Sequence, residues 1–243
     1  MTRPSQSRRL RPPRLTRKLR PQTQSRCRCT DAATGEPCQG PALHGHLFCH
    51  RHLNCAPLPR SGDEPAYAPE RYNQTPLVQK THNCWAYGMD VLDPEQLTQC
   101  LGKPVGCQLV YHQPGGTAKK AKELRTAAGR SCAVVERLMK TDVPAIQRTT
   151  HKARCPRGTS KIAMVVDPGE DYHFYRQDSD GMWSHKDGAN KVKRYDAEGL
   201  PIWDPRTAAR DYRPRGSFLN YEDFCGYYCV PRHTQIRLAR DED

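Results

Sequence analysis

The sequence lacks any long apolar run, and this excludes several classes of protein. No stretch approaches the ~20 apolar residues that a membrane-spanning helix needs, so we expect no membrane segment. Positive charge near the N-terminus is not followed by an apolar segment, so we expect no secretory signal. Apolar residues make up only 36% of the 243 residues, and 21 prolines indicate long irregular stretches. These totals predict a cytoplasmic protein with one medium domain and an appendage, or with two small domains.

Acidic residues are absent from the first 28 positions. Ten of the 39 basic residues lie there, which leaves 29 basic against 26 acidic residues in the rest of the chain. Residues 1–26 also contain almost no apolar side chains and cannot bury enough surface to offset the entropy of ordering. We therefore predict a disordered basic tail over residues 1–26. Residues 1–28 either keep the chain soluble or attract nucleic acid, and such binding would weaken steeply with salt.

Cysteine, in contrast, is abundant, with twelve residues. Without a secretory signal, thiols serve metals or catalysis more often than disulfides. Residues 27–55 are rich in cysteine and histidine, and candidate zinc ligands follow in order: Cys27 or Cys29, then Cys38, Cys49 and His52. We interpret the later cysteines as core thiols without a pairing rule; they are Cys100, Cys107, Cys132, Cys155, Cys225 and Cys229.

The cysteine-rich segment is similar to short Cys/His zinc modules, because it has a turn at Gly35 and ends in FCHRH. The resemblance implies one structural zinc ion held by four ligands, which we assign to Cys29, Cys38, Cys49 and His52. A module this small would gain most of its folding free energy from the metal. A closed set of four ligands leaves no position for a catalytic water, so the module is expected to dock on nucleic acid or protein.

The remaining sequence divides into a linker, a globular domain and a tail. Residues 56–76 are proline-rich and predict a linker that lies over the body, residues 77–233 have a globular pattern, and residues 234–243 form a C-terminal tail. Helical patterns occupy residues 83–92, 94–101 and 117–140, with a break near residue 129. Strand patterns follow at residues 161–167, 172–177, 182–186 and 223–230. Helices followed by antiparallel strands predict an α+β domain.

Cys84 is the first candidate for chemistry. The segment HNCWAYGMD, residues 82–90, places it directly after Asn83, which is a good helix N-cap. Unpaired N–H groups and the helix dipole at that end favour a thiolate. A base can come from a distant part of the sequence. His173 begins one predicted strand and His185 ends the next, so a hairpin brings both imidazoles to one face.

This order of residues resembles the papain-like, NlpC-type cysteine peptidases, over about residues 72–232. In that group a cysteine begins a helix, a histidine lies on a strand, and a second histidine follows twelve residues later. The resemblance implies Cys84 as nucleophile, His173 as general base, His185 as orienting residue and Tyr72 as a donor to the oxyanion. The blocks HFYR, WSHK and FCGYYCVP are also similar to uncharacterised proteins of phages and large DNA viruses.

Two functions follow from these residues. The first is a thiol hydrolase, a peptidase or amidase, in which Cys84, His173 and His185 carry out acyl transfer on a peptide or amide. The alternative is a zinc-containing module without chemistry that binds nucleic acid or protein through its basic tail. Neither function involves a membrane.

Overall fold

The structure, a computed structural model, describes residues 26–27, 38–42, 48–49, 60–101 and 111–232. Two units separate along the chain, residues 1–55 and residues 56–243. Most of the predicted basic tail, the predicted ligands Cys29 and His52, and the tail at 234–243 lie outside the described residues. The helices and strands described below all belong to the second unit.

The helices come first in the chain, as predicted. They are α1 (Glu70–Asn73), α2 (Pro76–Thr81), α3 (Cys84–Gly88), α4 (Pro94–Leu101) and α5 (Cys132–Asp142). The predicted break near residue 129 is confirmed, because a 3-10 helix at Ala121–Arg125 is separated from α5 there. A Cβ at Gly129 would clash with the Glu123 carbonyl oxygen, so only glycine allows this approach.

Six antiparallel strands form one sheet in the order β1-β6-β2-β3-β4-β5. They are β1 (Gln147–Thr149), β2 (Thr159–Asp167), β3 (Asp171–Gln177), β4 (Trp183–Lys186), β5 (Val192–Lys193) and β6 (Asp223–Pro231). Helices beside an antiparallel sheet confirm the predicted α+β class. The last strand, β6, lies between β1 and β2, so it belongs to the interior of the sheet.

Both faces of the sheet are buried, which explains the unbroken apolar run of β2. Ile162, Met164 and Val166 face a core that includes Trp85 of α3 and Leu138 of α5. The alternate residues of β2 face a second core, in which Ala163 and Val165 contact Trp183, Ile202 and Tyr227. A strand with only one buried face would alternate apolar and polar residues, whereas this one packs on both sides.

Residues 60–76 pack against the body, as expected of a segment that lies over it. The Cys155 N–H donates to the Ser61 hydroxyl at 2.7 Å, and the Gly158 N–H donates to Asp63 at 2.9 Å. The Ser179 N–H donates to the Pro65 carbonyl oxygen at 2.9 Å. These bonds fix the start of the unit against residues 155–179, which are distant in the sequence.

The expectation that the later cysteines are unpaired core thiols is wrong for five of the six, and Cys107 lies outside the described residues. Cys132 is joined to Cys225, which links α5 to β6, and Cys155 is joined to Cys229. Cys100 is also disulfide-bonded. Sequence spacing concealed these pairs because their members lie 93 and 74 residues apart and meet only in the folded sheet.

In the described part of the chain, no helix is long and apolar enough to cross a bilayer.

Candidate functional site

The beginning of α3 is built as predicted around its cap. The Asn83 side chain accepts a hydrogen bond from the Ala86 N–H at 3.1 Å, and its amide donates to the His112 carbonyl oxygen at 2.8 Å. Cys84 is therefore the first helical residue. Trp85 beside it is fully buried, and its ring packs against Phe174 of β3 with centroids 5.0 Å apart. The helix start is thus fixed directly against the strand that carries His173.

The other end of α3 is held by two buried arginines. Arg176 of β3 donates to the Tyr87 hydroxyl at 2.9 Å and to Asp90 at 2.7 Å. Arg232 donates to the Gly88 carbonyl oxygen at 3.0 Å. A five-residue helix cannot be stable by itself, so these contacts and the apolar core determine where it lies.

Cys84 and His173 line one cavity of about 560 Å³. Asp187 lines it too, together with polar side chains that include Tyr111, Gln113, Arg130 and Asn190. The Cys84 thiol lies 4.0 Å from the Tyr172 carbonyl oxygen. Within the part of the chain that the structure describes, no hydrogen bond joins the thiol to the His173 imidazole. The two groups therefore line the same cavity without a hydrogen bond between them.

His173, His185 and Asp187 form a tight cluster, which we call the imidazole–carboxylate cluster. The His173 Nε2 lies 2.8 Å from the His185 Nδ1, and both nitrogens approach the Asp187 Oδ1, at 3.2 and 2.9 Å. The predicted meeting of the two histidines is thus present. Lys193 pairs with the second oxygen of Asp187 at 2.5 Å. Both histidine side chains are almost completely buried, whereas the Asp187 side chain is 26% exposed.

One hydrogen bond fixes a proton position in the cluster. The His185 Nε2 lies 3.0 Å from the Tyr195 carbonyl oxygen, which can only accept, so this nitrogen carries a proton. The His185 Nδ1 faces both the His173 Nε2 and the Asp187 Oδ1, and when it is bare it accepts from the His173 Nε2–H. His173 in turn has a bare Nδ1, for which the structure gives no partner among the described residues. This tautomer is the one that can accept a proton from a thiol.

Burial controls the titration of Cys84 and His173. It lowers the pKa of His173 to about 3, so the imidazole is neutral at neutral pH. Burial also raises the pKa of the Cys84 thiol well above its ordinary value. The expectation that the helix start favours a thiolate is therefore wrong, because desolvation outweighs the dipole of a five-residue helix. At neutral pH the cavity holds a neutral thiol and a neutral imidazole.

Asp187 behaves in the opposite way. Burial alone would raise its pKa, but the neighbouring His185, His173 and Lys193 hold the pKa of this carboxyl well below its usual range. The cluster therefore places a carboxylate beside the two imidazoles. This residue was not among the predicted site residues. Its position two residues after a strand histidine was the signal that could have revealed it.

Tyr72 is not placed at the cavity. It is buried between His82 and Tyr87, and its hydroxyl donates to the Val91 carbonyl oxygen at 3.3 Å. Among the described residues, the tyrosines that line the cavity are Tyr111, Tyr172 and Tyr221. Tyr221 donates to Asp171 at 2.7 Å and Tyr172 donates to Gln113, so those two hydroxyls are already engaged.

In the first unit, Cys27, Cys38 and Cys49 bring their sulfur atoms within 4.8 Å of one another. The Sγ atoms of Cys38 and Cys49 are 3.7 Å apart. Zn–S bonds of about 2.3 Å in a tetrahedral site put two sulfurs about 3.8 Å apart, which fits. This group can hold a metal ion, and its first member is Cys27. Cys29 and His52, the other predicted ligands, lie outside the described residues.

Comparison with known proteins gives one relative that covers most of the chain. Insoluble matrix shell protein 1 of Ruditapes philippinarum is 30% identical over 170 residues, which are 70% of this chain and 93% of that protein. No family profile matches the chain. No solved structure matches it either. The extent and identity of the match show that the chain belongs to the family of insoluble matrix shell protein 1.

Proposed function

We propose that the second unit is a thiol hydrolase of the papain-like, NlpC type that acts on a peptide or amide bond. The observation that carries the proposal is that Cys84 and His173 line the same cavity, while the His173 Nε2 contacts His185 and Asp187 and leaves Nδ1 as the nitrogen that can serve the thiol. The α+β fold, with a helix that begins at Cys84 and packs on the histidine strand, supports the same proposal.

The reaction proceeds from a neutral thiol. The Cys84 proton passes to the His173 Nδ1 as the sulfur attacks the substrate carbonyl carbon, through a water molecule or a small rotation of the imidazole. The imidazolium that forms is stabilised by Asp187, whose carboxylate contacts the His173 Nε2. The tetrahedral intermediate then expels the amine, which takes the proton from Nδ1. Water resolves the thioester by the same proton transfers and releases the carboxylic acid.

The backbone N–H of Cys84 is the proposed donor to the oxyanion. Tyr111, which lines the cavity, is a better candidate for a second donor than Tyr72, whose hydroxyl is bonded to Val91. Burial raises the pKa of Tyr111 to about 12, so its hydroxyl keeps its proton and can donate.

Labelling of thiols tests the proposal. The full chain, freed of metal with a chelator, is treated with limiting iodoacetamide at neutral pH, and modified cysteines are mapped by mass spectrometry. We expect His173→Ala to slow labelling of Cys84 by at least about tenfold, because the base is lost. His151→Ala, which removes a histidine outside the cavity, is the matched control and should have no effect. Equal rates of Cys84 labelling in wild type and His173→Ala would reject the proposal that the unit is a hydrolase.

A structural role in an extracellular matrix is the second candidate. The name of the relative places that protein in the insoluble matrix of a shell. Two disulfides in the sheet also favour an oxidising compartment over the cytoplasm that the sequence predicted. The hydrolase and the matrix location are compatible. The two candidates are distinguished by the reactivity of Cys84. If Cys84 proves no more reactive than Cys27, Cys38 and Cys49 of the first unit, the chain is a matrix component without chemistry.

The first unit is proposed to be a structural zinc module. The sulfur separation between Cys38 and Cys49 supports it, and so does the Gly40 N–H that donates to the Cys38 sulfur at 3.4 Å. Cys38→Ser should remove one equivalent of zinc from the purified chain. The alternative is an interaction module that binds nucleic acid through residues 1–28. Its affinity for nucleic acid should then fall steeply as the salt concentration rises, and deletion of those residues should abolish this dependence.

A further inference from the structure

The imidazole–carboxylate cluster has more lone pairs than it has protons. The Tyr195 carbonyl fixes a proton on the His185 Nε2, so in a neutral ring the Nδ1 is bare and lies 2.9 Å from the Asp187 Oδ1. The single Nε2–H of His173 points toward both acceptors, 2.8 and 3.2 Å away. One proton cannot make two good hydrogen bonds in this geometry. A cation placed among the three atoms would satisfy all of them together.

The separations between these atoms match a metal centre. Bonds of about 2.1 Å to imidazole nitrogen and carboxylate oxygen place neighbouring ligands about 3.0 Å apart around an octahedral ion and about 3.4 Å apart around a tetrahedral one. The three distances in the cluster are 2.8, 2.9 and 3.2 Å. The three atoms therefore fit one triangular face of an octahedron, with the opposite face available for water. Two imidazoles and one carboxylate are a donor set that first-row transition metals take.

The surroundings of the cluster also resemble those of a metal centre. A histidine ligand usually donates its other N–H to a backbone carbonyl, as His185 does to Tyr195. Lys193 occupies the second oxygen of Asp187, so Oδ1 is left to bind as a single ligand. Rings of Tyr175 and Tyr221 pack against His173 with centroids 5.2 and 5.4 Å away and hold its orientation. Both His173 and Asp187 line the cavity, which gives an ion a route of entry.

We propose that His173, His185 and Asp187 bind one divalent first-row transition metal ion, with Zn²⁺ as its test ion, and that this ion switches off the base. The second part rests on the proposed function. A metal on the His173 Nε2 uses the lone pair of that nitrogen, so the imidazole proton moves to Nδ1. Nδ1 then cannot accept the Cys84 proton. A chain with zinc bound in the cluster therefore cannot hydrolyse its substrate, although its fold is unchanged.

Zinc stoichiometry tests the site. Zn²⁺ is titrated into the metal-free full chain by calorimetry, and we expect two equivalents, one in the cysteine module and one in the cluster. Asp187→Asn keeps the size of the side chain but removes a charged ligand, and should weaken the second equivalent by at least about tenfold. Glu170→Gln, a change of another carboxylate in the same cavity, should leave both equivalents in place. Circular dichroism of the metal-free variants confirms that each is folded.

X-ray absorption identifies the ligands independently of the affinities. In Cys38→Ser the remaining zinc should show only nitrogen and oxygen ligands, whereas in Asp187→Asn it should show sulfur. The proposed metal site would be overturned if wild type and Asp187→Asn bound zinc with equal stoichiometry and affinity. It would also be overturned if the zinc that Cys38→Ser retains had sulfur ligands.

Labelling of Cys84 then tests the switch. Saturating Zn²⁺ should slow iodoacetamide labelling of Cys84 by about tenfold or more in wild type and in Cys38→Ser, the loss expected when the base is removed, whereas saturating Mg²⁺ should leave the labelling rate unchanged. Equal labelling rates with and without Zn²⁺ in both chains would overturn the switch. If labelling of Cys84 is slow in the metal-free chain as well, the proposal of a hydrolase is rejected. The zinc stoichiometry still tests the proposed metal site in that case.

Discussion

At the scale of single residues, burial decides the chemistry of the site more than sequence neighbours do. Cys84 follows an N-cap, and that local pattern predicts a thiolate. Desolvation in the folded cavity instead keeps the thiol neutral. The pairing of His173 with His185 could be predicted, because twelve residues and a turn define the hairpin. The contribution of Asp187 could not, since it depends on how the chain leaves β4 after His185.

The lowered pKa of His173 predicts a loss of stability in acid. An unfolded histidine titrates near its ordinary pKa of 6.5, whereas the folded residue titrates at about 3. Between these values the unfolded chain binds a proton that the folded chain excludes, so the free energy of unfolding falls as the pH falls. The slope from this group is at most about 1.4 kcal/mol per pH unit, and above pH 6.5 the contribution is absent.

Urea unfolding of wild type and His173→Gln, at about pH 7 and about pH 4.5, measures this effect. The variant should lose less stability between the two values than wild type does. His151→Gln provides the comparison for a histidine outside the cluster. Parallel losses in wild type and His173→Gln would show that His173 does not remain neutral in the folded protein.

At the scale of elements, the long periodic segments were predictable and the short ones were not. β2, β3, β4 and β6 follow from apolar and aromatic runs. β1 and β5 have three and two residues, too few for a pattern to show. The proline-rich stretch was read as a linker, yet it contains α1, because a four-residue helix is set by packing rather than by periodicity.

The cap of α3 should contribute more stability than an ordinary helix cap. Asn83 is buried and makes two hydrogen bonds, to the Ala86 N–H and the His112 carbonyl. Asn83→Ala should therefore lower the free energy of unfolding by about 2–3 kcal/mol, the loss of a cap plus a buried unpaired carbonyl. Thr75→Ala removes the exposed cap of α2 and should cost about 1 kcal/mol or less.

Chemical unfolding of both variants gives the comparison. Asn83→Ala should also slow labelling of Cys84, because the start of α3 is no longer fixed. Similar losses of stability in the two variants would mean that burial adds nothing to the Asn83 cap.

At the scale of the whole molecule, two disulfides join α5 and the loop before β2 to a single strand, β6. Cys225 and Cys229 both lie on β6, and their partners are 93 and 74 residues away. Neither pairing was readable from the sequence, because β6 is last in the chain but interior in the sheet. The α+β class itself was predictable from the order of helical and strand patterns.

Reduction of these bonds should destabilise the second unit. Each bond closes a loop of more than 70 residues. Its loss should lower the free energy of unfolding by roughly 2–4 kcal/mol, mainly through the greater freedom of the unfolded chain. Cys132→Ala combined with Cys225→Ala, compared with wild type in urea without reductant, isolates one bond. An unchanged unfolding midpoint would show that this bond does not form in the folded protein.

The most direct measurement of the central claim is the position of the His173 proton. In the metal-free full chain, selectively labelled with ¹⁵N in the histidine rings, the nitrogen chemical shifts identify the protonated nitrogen. We predict a proton on Nε2 and a bare Nδ1 at neutral pH, and a mixture of tautomers in His185→Ala. A proton fixed on the His173 Nδ1 of the metal-free wild type would contradict the claim, because no acceptor would then face the Cys84 thiol.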